Sequence, residues 1–391
     1  MRAFWCTYSI EKEEGSTLEI QNGIVFTEDG KFSQQPVYTE GERFSASPSG
    51  ETLDARGLYI LPGLVDIHIH GYAGTDFCDG DPEGLRRMAE RLACEGVTSF
   101  LGTTMSFGLK ELAKAAEGFQ QYEEHPSPAG AVLRGVHMEG PFLSKNKRGA
   151  QAEQYIIPPD FSFFQEACTL FSQKIRLVDI APELPGAMDF IRRAQEICPV
   201  SLAHTEADYD TALQALEAGA DHITHMYNAM PPFLHRTPGV IGAAAEKADF
   251  CELIVDGIHV HPSVVRSTFR WFGWEHICLI SDCMQAGGLP SGEYTLGGQK
   301  VFVRDGKATL EDGTIAGSAV SLGECLRRAI AFGVPREEAI LAATANPARS
   351  VGLYEEIGRI APGLQADILI ADSSFRPVYV IIGGKIIYRR S

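Results

Sequence analysis

The sequence predicts an α/β protein: a (β/α)8 barrel of TIM type, with a small β-sandwich domain formed by both chain ends. Three observations lead there. Eight apolar, β-branched runs of strand length alternate with helical periodicity. Imidazole and carboxylate side chains fall at the ends of several of those runs. Both ends of the chain turn to short alternating runs broken by turn residues. The expected division is 1–60 for the N-terminal part of the small domain, 61–352 for the barrel and 353–391 for the C-terminal part. With 391 residues and 45% apolar content, the chain can bury one large core with something smaller beside it.

The N-terminal part rests on Thr17 to Leu61, where runs such as Leu18 to Phe26 end in Glu28-Asp29-Gly30 and read as small β-structure. The barrel strands are expected at Val65 to His70, Thr98 to Thr103, Val132 to Glu139 and Ile175 to Ala181. Val200 to His204, His222 to His225, Cys251 to Asp256 and Ile277 to Asp282 complete the set. Helices fill the gaps: Leu85, Met88, Ala89, Leu92 and Ala93 recur with the spacing of one helical face, as do Leu322, Cys325, Leu326, Ala329 and Ile330. Strand followed by helix eight times over is the pattern of a barrel whose loops build a site at the C-terminal strand ends. Asp367 to Ala371 and Val378 to Tyr388 return to strand character, with Gly383-Gly384 fitting a two-residue hairpin turn.

Lys and Arg number 34 against 51 Asp and Glu, a net charge of −17, which disfavours nucleic acid and anionic membrane as partners. A site for an anionic small molecule must therefore concentrate positive charge. The nine cysteines are scattered without a C-x-x-C pair, so neither a disulfide framework nor a zinc ribbon is expected. Met1 to Ile10 lacks a basic start with an apolar run behind it, and no stretch approaches the ~18 apolar residues of a membrane span. A soluble, cytoplasmic protein is the expectation.

The candidate ligands fall at the ends of expected strands 1, 3, 5, 6 and 8. Strand alternation puts His68 and His70 on one side, so two imidazoles can reach one ion. Glu139 ends its strand where Gly140-Pro141 stops it and leaves the carboxylate at the rim; His137, of the same parity, reads as a supporting or core residue. His204 and His225 each close an apolar strand, one β/α unit apart. Singly, each of these is an ordinary histidine or loop carboxylate; facing one another, they form a ligand set for a divalent metal. Asp282 alone is a helix cap, and beside a metal it is the natural acid/base. Imidazole and carboxylate ligands suit Zn, Fe, Mn and Co alike, so one or two divalent ions are expected, Zn or Fe foremost.

These segments resemble the amidohydrolase superfamily, and within it the N-acetylglucosamine-6-phosphate deacetylases. The likeness is carried by 62–71 (PGLVDIHIHG), 137–142 (HMEGPF), 225–230 (HMYNAM), 255–260 (VDGIHV) and 315–318 (IAGS). The resemblance implies that Glu139, His204 and His225 bind a principal metal, that His68 and His70 bind a second, and that Asp282 shuttles the proton. It implies sugar-phosphate contacts from Asn228, Ala229, Arg236 and His259, and a segment Ile315, Ala316 and Gly317 closing over the acetyl group. It also implies a homodimer. After Ala150 some members carry a histidine that holds the acetyl carbonyl; here Gln151 stands instead, an amide able to hydrogen-bond the substrate but not to supply charge. The second metal or its histidine pair is expected to compensate.

Arg236 matches phosphate geometry on a strongly acidic background, with Lys145, Lys147 and Arg148 as rival phosphate ligands. Three alternatives stand beside the favoured substrate: the galactosamine epimer, a cyclic amide of dihydropyrimidinase type, and a non-catalytic metal-binding barrel. The second would need a bridging lysine at a strand end, where this chain has Ala181 and Glu139. The third would show missing ligands, yet each position is filled.

Overall fold

The structure, a computed structural model, describes residues 17–47 and 50–390, so the reading of Met1 to Ile10 lies outside the described residues. Eight parallel strands pair in chain order: β1 (Leu64–Ile69), β2 (Val97–Thr104), β3 (Val132–Met138), β4 (Ile175–Ile180), β5 (Val200–Leu202), β6 (His222–Ile223), β7 (Phe250–Ile254) and β8 (Ile277–Ile280). The barrel closes just past β8. Ile69 bridges Cys283, and the Asp282 N–H donates to the His68 carbonyl at 2.9 Å. Each residue of β1 and β2 is buried, as strands covered on both faces require.

Helices α1 (Pro82–Cys94), α2 (Leu109–Glu124), α3 (Phe161–Leu170), α4 (Ala187–Ala194), α5 (Tyr209–Ala218), α6 (Gly239–Lys247), α7 (Pro262–Phe272) and α8 (Leu322–Ala331) follow the strands in turn. Side chains of Asp81, Asp160, Asp208 and Ser321 accept from backbone N–H groups at the starts of α1, α3, α5 and α8, satisfying donors that have no partner within the helix. α1 and α8 bury the apolar faces read from their spacing.

The two chain ends build two sheets. A six-stranded one takes 59–62, 24–26 and 32–33 from the N-terminal side and 368–371, 377–382 and 385–389 from the C-terminal side. A four-stranded one is wholly N-terminal. Leu18, Ile20, Val37 and Phe44 of the smaller sheet meet Val25, Ile60, Ile368, Ile370 and Ile381 of the larger in one apolar layer, the sandwich expected of the chain ends. Leu18 to Phe26 is two strands rather than one run, broken at Asn22, whose φ is 64°. Gly383 and Gly384 turn the last hairpin with φ of 53° and 71°, the left-handed pair that a two-residue turn needs.

Two features depart from the sequence reading. Strands β5, β6 and β8 each end two residues before His204, His225 and Asp282, which leave the ladder. Between β8 and α8 stands an antiparallel four-stranded sheet over 292–318, of which the sequence reading placed only the last strand, Ile315 to Gly317, near the site. Its Leu296, Val301, Val303 and Ala316 pack on Met105 and Met284 and hold it against the barrel mouth. Among the described residues no helix is long and apolar enough to cross a membrane.

Candidate active site

At the C-terminal mouth of the barrel lies a pocket of about 500 Å³. It is lined by His70, Glu139, His204, His225 and Asp282, and by Ala150, Gln151, Asn228, Ala229, His259, Ile315 and Gly317. Glu139 reaches it because Gly140 turns the chain sharply after β3: φ there is 85°, and a Cβ would sit 2.1 Å from the Ser106 Oγ. His204, His225 and Asp282 reach it from left-handed backbone, with φ of 44°, 30° and 46°.

Glu139 Oε1 lies 3.1 Å from His204 Nε2 and 3.0 Å from His225 Nε2, and the two nitrogens are 3.1 Å apart. A tetrahedral shell with bonds near 2.05 Å has edges of about 3.3 Å, so this triangle fits one face of a metal's coordination shell. His204 Nδ1 lies 2.7 Å from the Lys147 carbonyl oxygen; donating there, it turns the Nε2 lone pair inward. The other carboxylate oxygen, Glu139 Oε2, stands 3.2 Å from His70 Nε2. Asp282 Oδ1 lies 3.4 Å from His70 Nε2 and 3.6 Å from His68 Nε2. Two groups of side chains able to hold a metal thus share Glu139 between them.

His68 Nε2 is buried without a hydrogen-bond partner, an orphaned atom that a metal would satisfy. Burial, then the neighbouring His137, push the His68 imidazole well below its ordinary range. Burial pushes His70 the same way but is outweighed by Asp282 and Glu139, which hold it well above. For Glu139, burial is outweighed by hydrogen bonds from His204, His225 and His70, and its carboxyl is held well below the carboxylate range. The carboxylates thus draw positive charge to this point, and the donor set, imidazoles with carboxylates, is the one that divalent transition ions take.

The remaining residues divide. Gln151 donates from Nε2 to Glu139 Oε2 at 2.5 Å and accepts the Ser106 N–H on Oε1 at 2.7 Å, so its amide is engaged by the Glu139 carboxylate and the Ser106 backbone. Asp256 accepts the backbone N–H groups of Ile258 and His259, both at 2.8 Å, and holds the His259 Nδ1 at 2.7 Å. Burial opposes a charge on His259, yet the Asp256 contact prevails and raises its pKa. Asn228 donates its amide to the His225 and Met226 carbonyls at 3.1 and 3.3 Å, which pins the turn after β6. Ala316 is fully buried behind the pocket wall that Ile315 and Gly317 form.

Arg236 is not brought in. The loop after Pro231-Pro232 runs outward, pinned by the Leu234–Thr237 bridge, and Arg236 lines a separate depression with Tyr209 and Pro238. Within this chain the cations at the pocket are Lys147 and Arg148, while Lys145 lines an adjoining cleft. His137 is fully buried below the pocket, with Asp179 Oδ1 at 3.0 Å and the Ile67 carbonyl at 3.2 Å. One residue the sequence reading missed is Glu252, whose Oε2 takes the His68 Nδ1 at 2.9 Å. Its signal was available: a lone carboxylate inside the otherwise apolar β7.

The family described as "Amidohydrolase family" matches residues 59–387. An N-acetylglucosamine-6-phosphate deacetylase of Bacillus subtilis (strain 168) is 38% identical over 374 residues, 94% of this chain and 93% of its own. An N-acetylgalactosamine-6-phosphate deacetylase of Escherichia coli O157:H7 is 34% identical over 330 residues, 84% of this chain and 87% of its own. The crystal structure of N-acetylglucosamine-6-phosphate deacetylase from Pasteurella multocida superposes with a TM-score of 0.88 at 27% identity, covering 95% of this chain and 99% of that one.

Proposed function

The chain belongs to the amidohydrolase family, and from that premise we propose that it hydrolyses the N-acetyl group of N-acetylglucosamine 6-phosphate, giving glucosamine 6-phosphate and acetate in amino-sugar catabolism. The observation that carries the reading is the pair of ligand groups sharing Glu139 at the floor of a pocket whose walls hold Asn228, His259 and two cations. Glu139, His204 and His225 would hold a principal ion, and His68, His70 and Asp282 a second, Zn or Fe in either place. Such an ion supplies a Lewis acid for the amide carbonyl and acidifies water.

Asp282 takes the proton of the attacking water as the new C–O bond forms, then delivers it to the amine nitrogen as the C–N bond breaks. His259, drawn toward its charged form by Asp256, faces the sugar phosphate together with Lys147 and Arg148. The sheet over 292–318 supplies Ile315 and Gly317 against the acetyl group and shields it from bulk water. The galactosamine epimer is kept as a second reading, because a relative of that name aligns over most of the chain. The homodimer implied by the family and a cytosolic setting belong to the same proposal, since a sugar phosphate anion crosses membranes poorly.

The test is acetate release from both hexosamine 6-phosphates and from unphosphorylated N-acetylglucosamine, with protein loaded with Zn²⁺ or Fe²⁺. Preference for the glucosamine phosphate is expected. Equal rates with and without phosphate would remove the substrate assignment and leave the metal hydrolase.

A further inference from the structure

We propose that Glu252 is the positioning residue that makes the His68, His70 and Asp282 group able to hold a second divalent ion. The inference rests on the metal reading above and deepens it. Glu252 is fully buried in β7, and among the described residues its ion-pair partners are histidines alone, His68 at 2.9 Å and His222 at 3.9 Å. A carboxylate taken out of water is expensive unless positive charge faces it. An ion on His68 Nε2 would supply that charge through the ring.

His68 can ligate through Nε2 only with its proton on Nδ1, and Glu252 Oε2 is the acceptor for that proton. The ring cannot swing away, because His137 and His70 clamp it edge-on with centroids at 4.5 and 5.3 Å. The same Oε2 accepts the backbone N–H of His225 at 3.3 Å, so one oxygen touches a residue of each ligand group. The other three imidazoles lack such a backing. His204 leans on a backbone carbonyl, and the Nδ1 atoms of His70 and His225 have no hydrogen-bond partner among the described residues. A carboxylate behind an imidazole fixes its tautomer and raises its basicity, and losing one weakens metal affinity by about 10- to 100-fold.

Glu252→Gln keeps the shape and an acceptor and removes the charge. Wild type and variant are equilibrated in buffers of graded free Zn²⁺, bound zinc is read by elemental analysis, and circular dichroism checks the fold. The variant should bind its second Zn²⁺ about 10- to 100-fold more weakly and its first as the wild type does. In a His68→Ala background the substitution should change nothing further. Unchanged affinity for the second ion, or equal weakening for both, would overturn the inference, as would a wild type that holds a single Zn²⁺. Those results leave the metal reading standing, whereas a wild type that takes up no Zn²⁺ overturns both. Should the glutamine variant not fold, Glu252→Asp keeps the charge, shortens the reach and is expected to give the same selective loss.

Discussion

Three of the residues that carry the proposed chemistry, His204, His225 and Asp282, occupy left-handed backbone, where a residue with a Cβ costs about 1–3 kcal/mol. Hydrogen bonds hold them there. The His204 carbonyl accepts the Ser144 N–H at 2.9 Å, and the Asp282 carbonyl accepts the Ser318 N–H at 2.7 Å. A left-handed residue at a strand end takes its side chain out of the pleat and over the barrel axis, which is how three strands deliver side chains to one point. Asp282→Asn should keep the principal ion and the substrate but lower kcat by about 10²-fold or more, since an amide cannot accept the water's proton. Near-normal turnover with full metal content would assign proton transfer to another group. Gln151 is the other informative position. Its removal in Gln151→Ala leaves the buried Ser106 N–H unpaired, and urea unfolding of the metal-free protein should register a loss of about 1–3 kcal/mol. Equal midpoints and slopes for both proteins would show that the amide is not bonded as described.

At the scale of elements, the C-terminal strand ends hold the pocket, while the opposite ends carry groups whose role is stability. Asp221 precedes β6 there; its backbone bonds to Val200, Asp249 and Phe250. Burial, then the charge of Asp249, push its carboxyl up to about 7. The sign follows from linkage: the folded state holds this proton more tightly than the unfolded chain. The stabilisation is complete below the unfolded value near ~3.9 and is lost as pH rises through the folded one. Asp221→Asn should therefore match the wild type near pH 4 and exceed it at pH 8, by a few kcal/mol at most, on the order set by a three-unit shift. Urea midpoints across that range decide it, and parallel curves for the two proteins would refute it. The sheet over 292–318 was the element the sequence reading passed over. Its alternation, Val301 and Val303 inward with Lys300 outward, is short and interrupted by Gly297-Gly298 and Asp305-Gly306, so it resembled a turn-rich loop.

For the whole molecule, the open question is how a chain of net charge −17 holds a phosphate. Arg236 does not line the pocket of its own chain, and its loop displays Phe233 and Leu234, 45% and 52% exposed, beside Trp271 at 47%. If the proposed homodimer seats that loop at the neighbour's pocket, Arg236→Ala should raise KM for the phosphorylated sugar by about ten- to a hundred-fold, one charged hydrogen bond's worth. The unphosphorylated sugar should change little. An unchanged KM in a protein shown by light scattering to be dimeric would return the phosphate to Lys147 and Arg148. The sequence by itself determined the barrel, because eight buried strands must be apolar and their helices amphipathic, and each expected strand overlaps an observed one. It also brought forward six candidate ligands, because imidazoles and carboxylates recur at the ends of apolar strands that share one barrel mouth. Tertiary structure decided the rest. Which oxygen of Glu139 faces which imidazole, that Glu252 stands behind His68, and that Arg236 points away all depend on contacts between residues far apart in the chain. Local periodicity reports which face of an element is buried, and carries no record of what lies across from it.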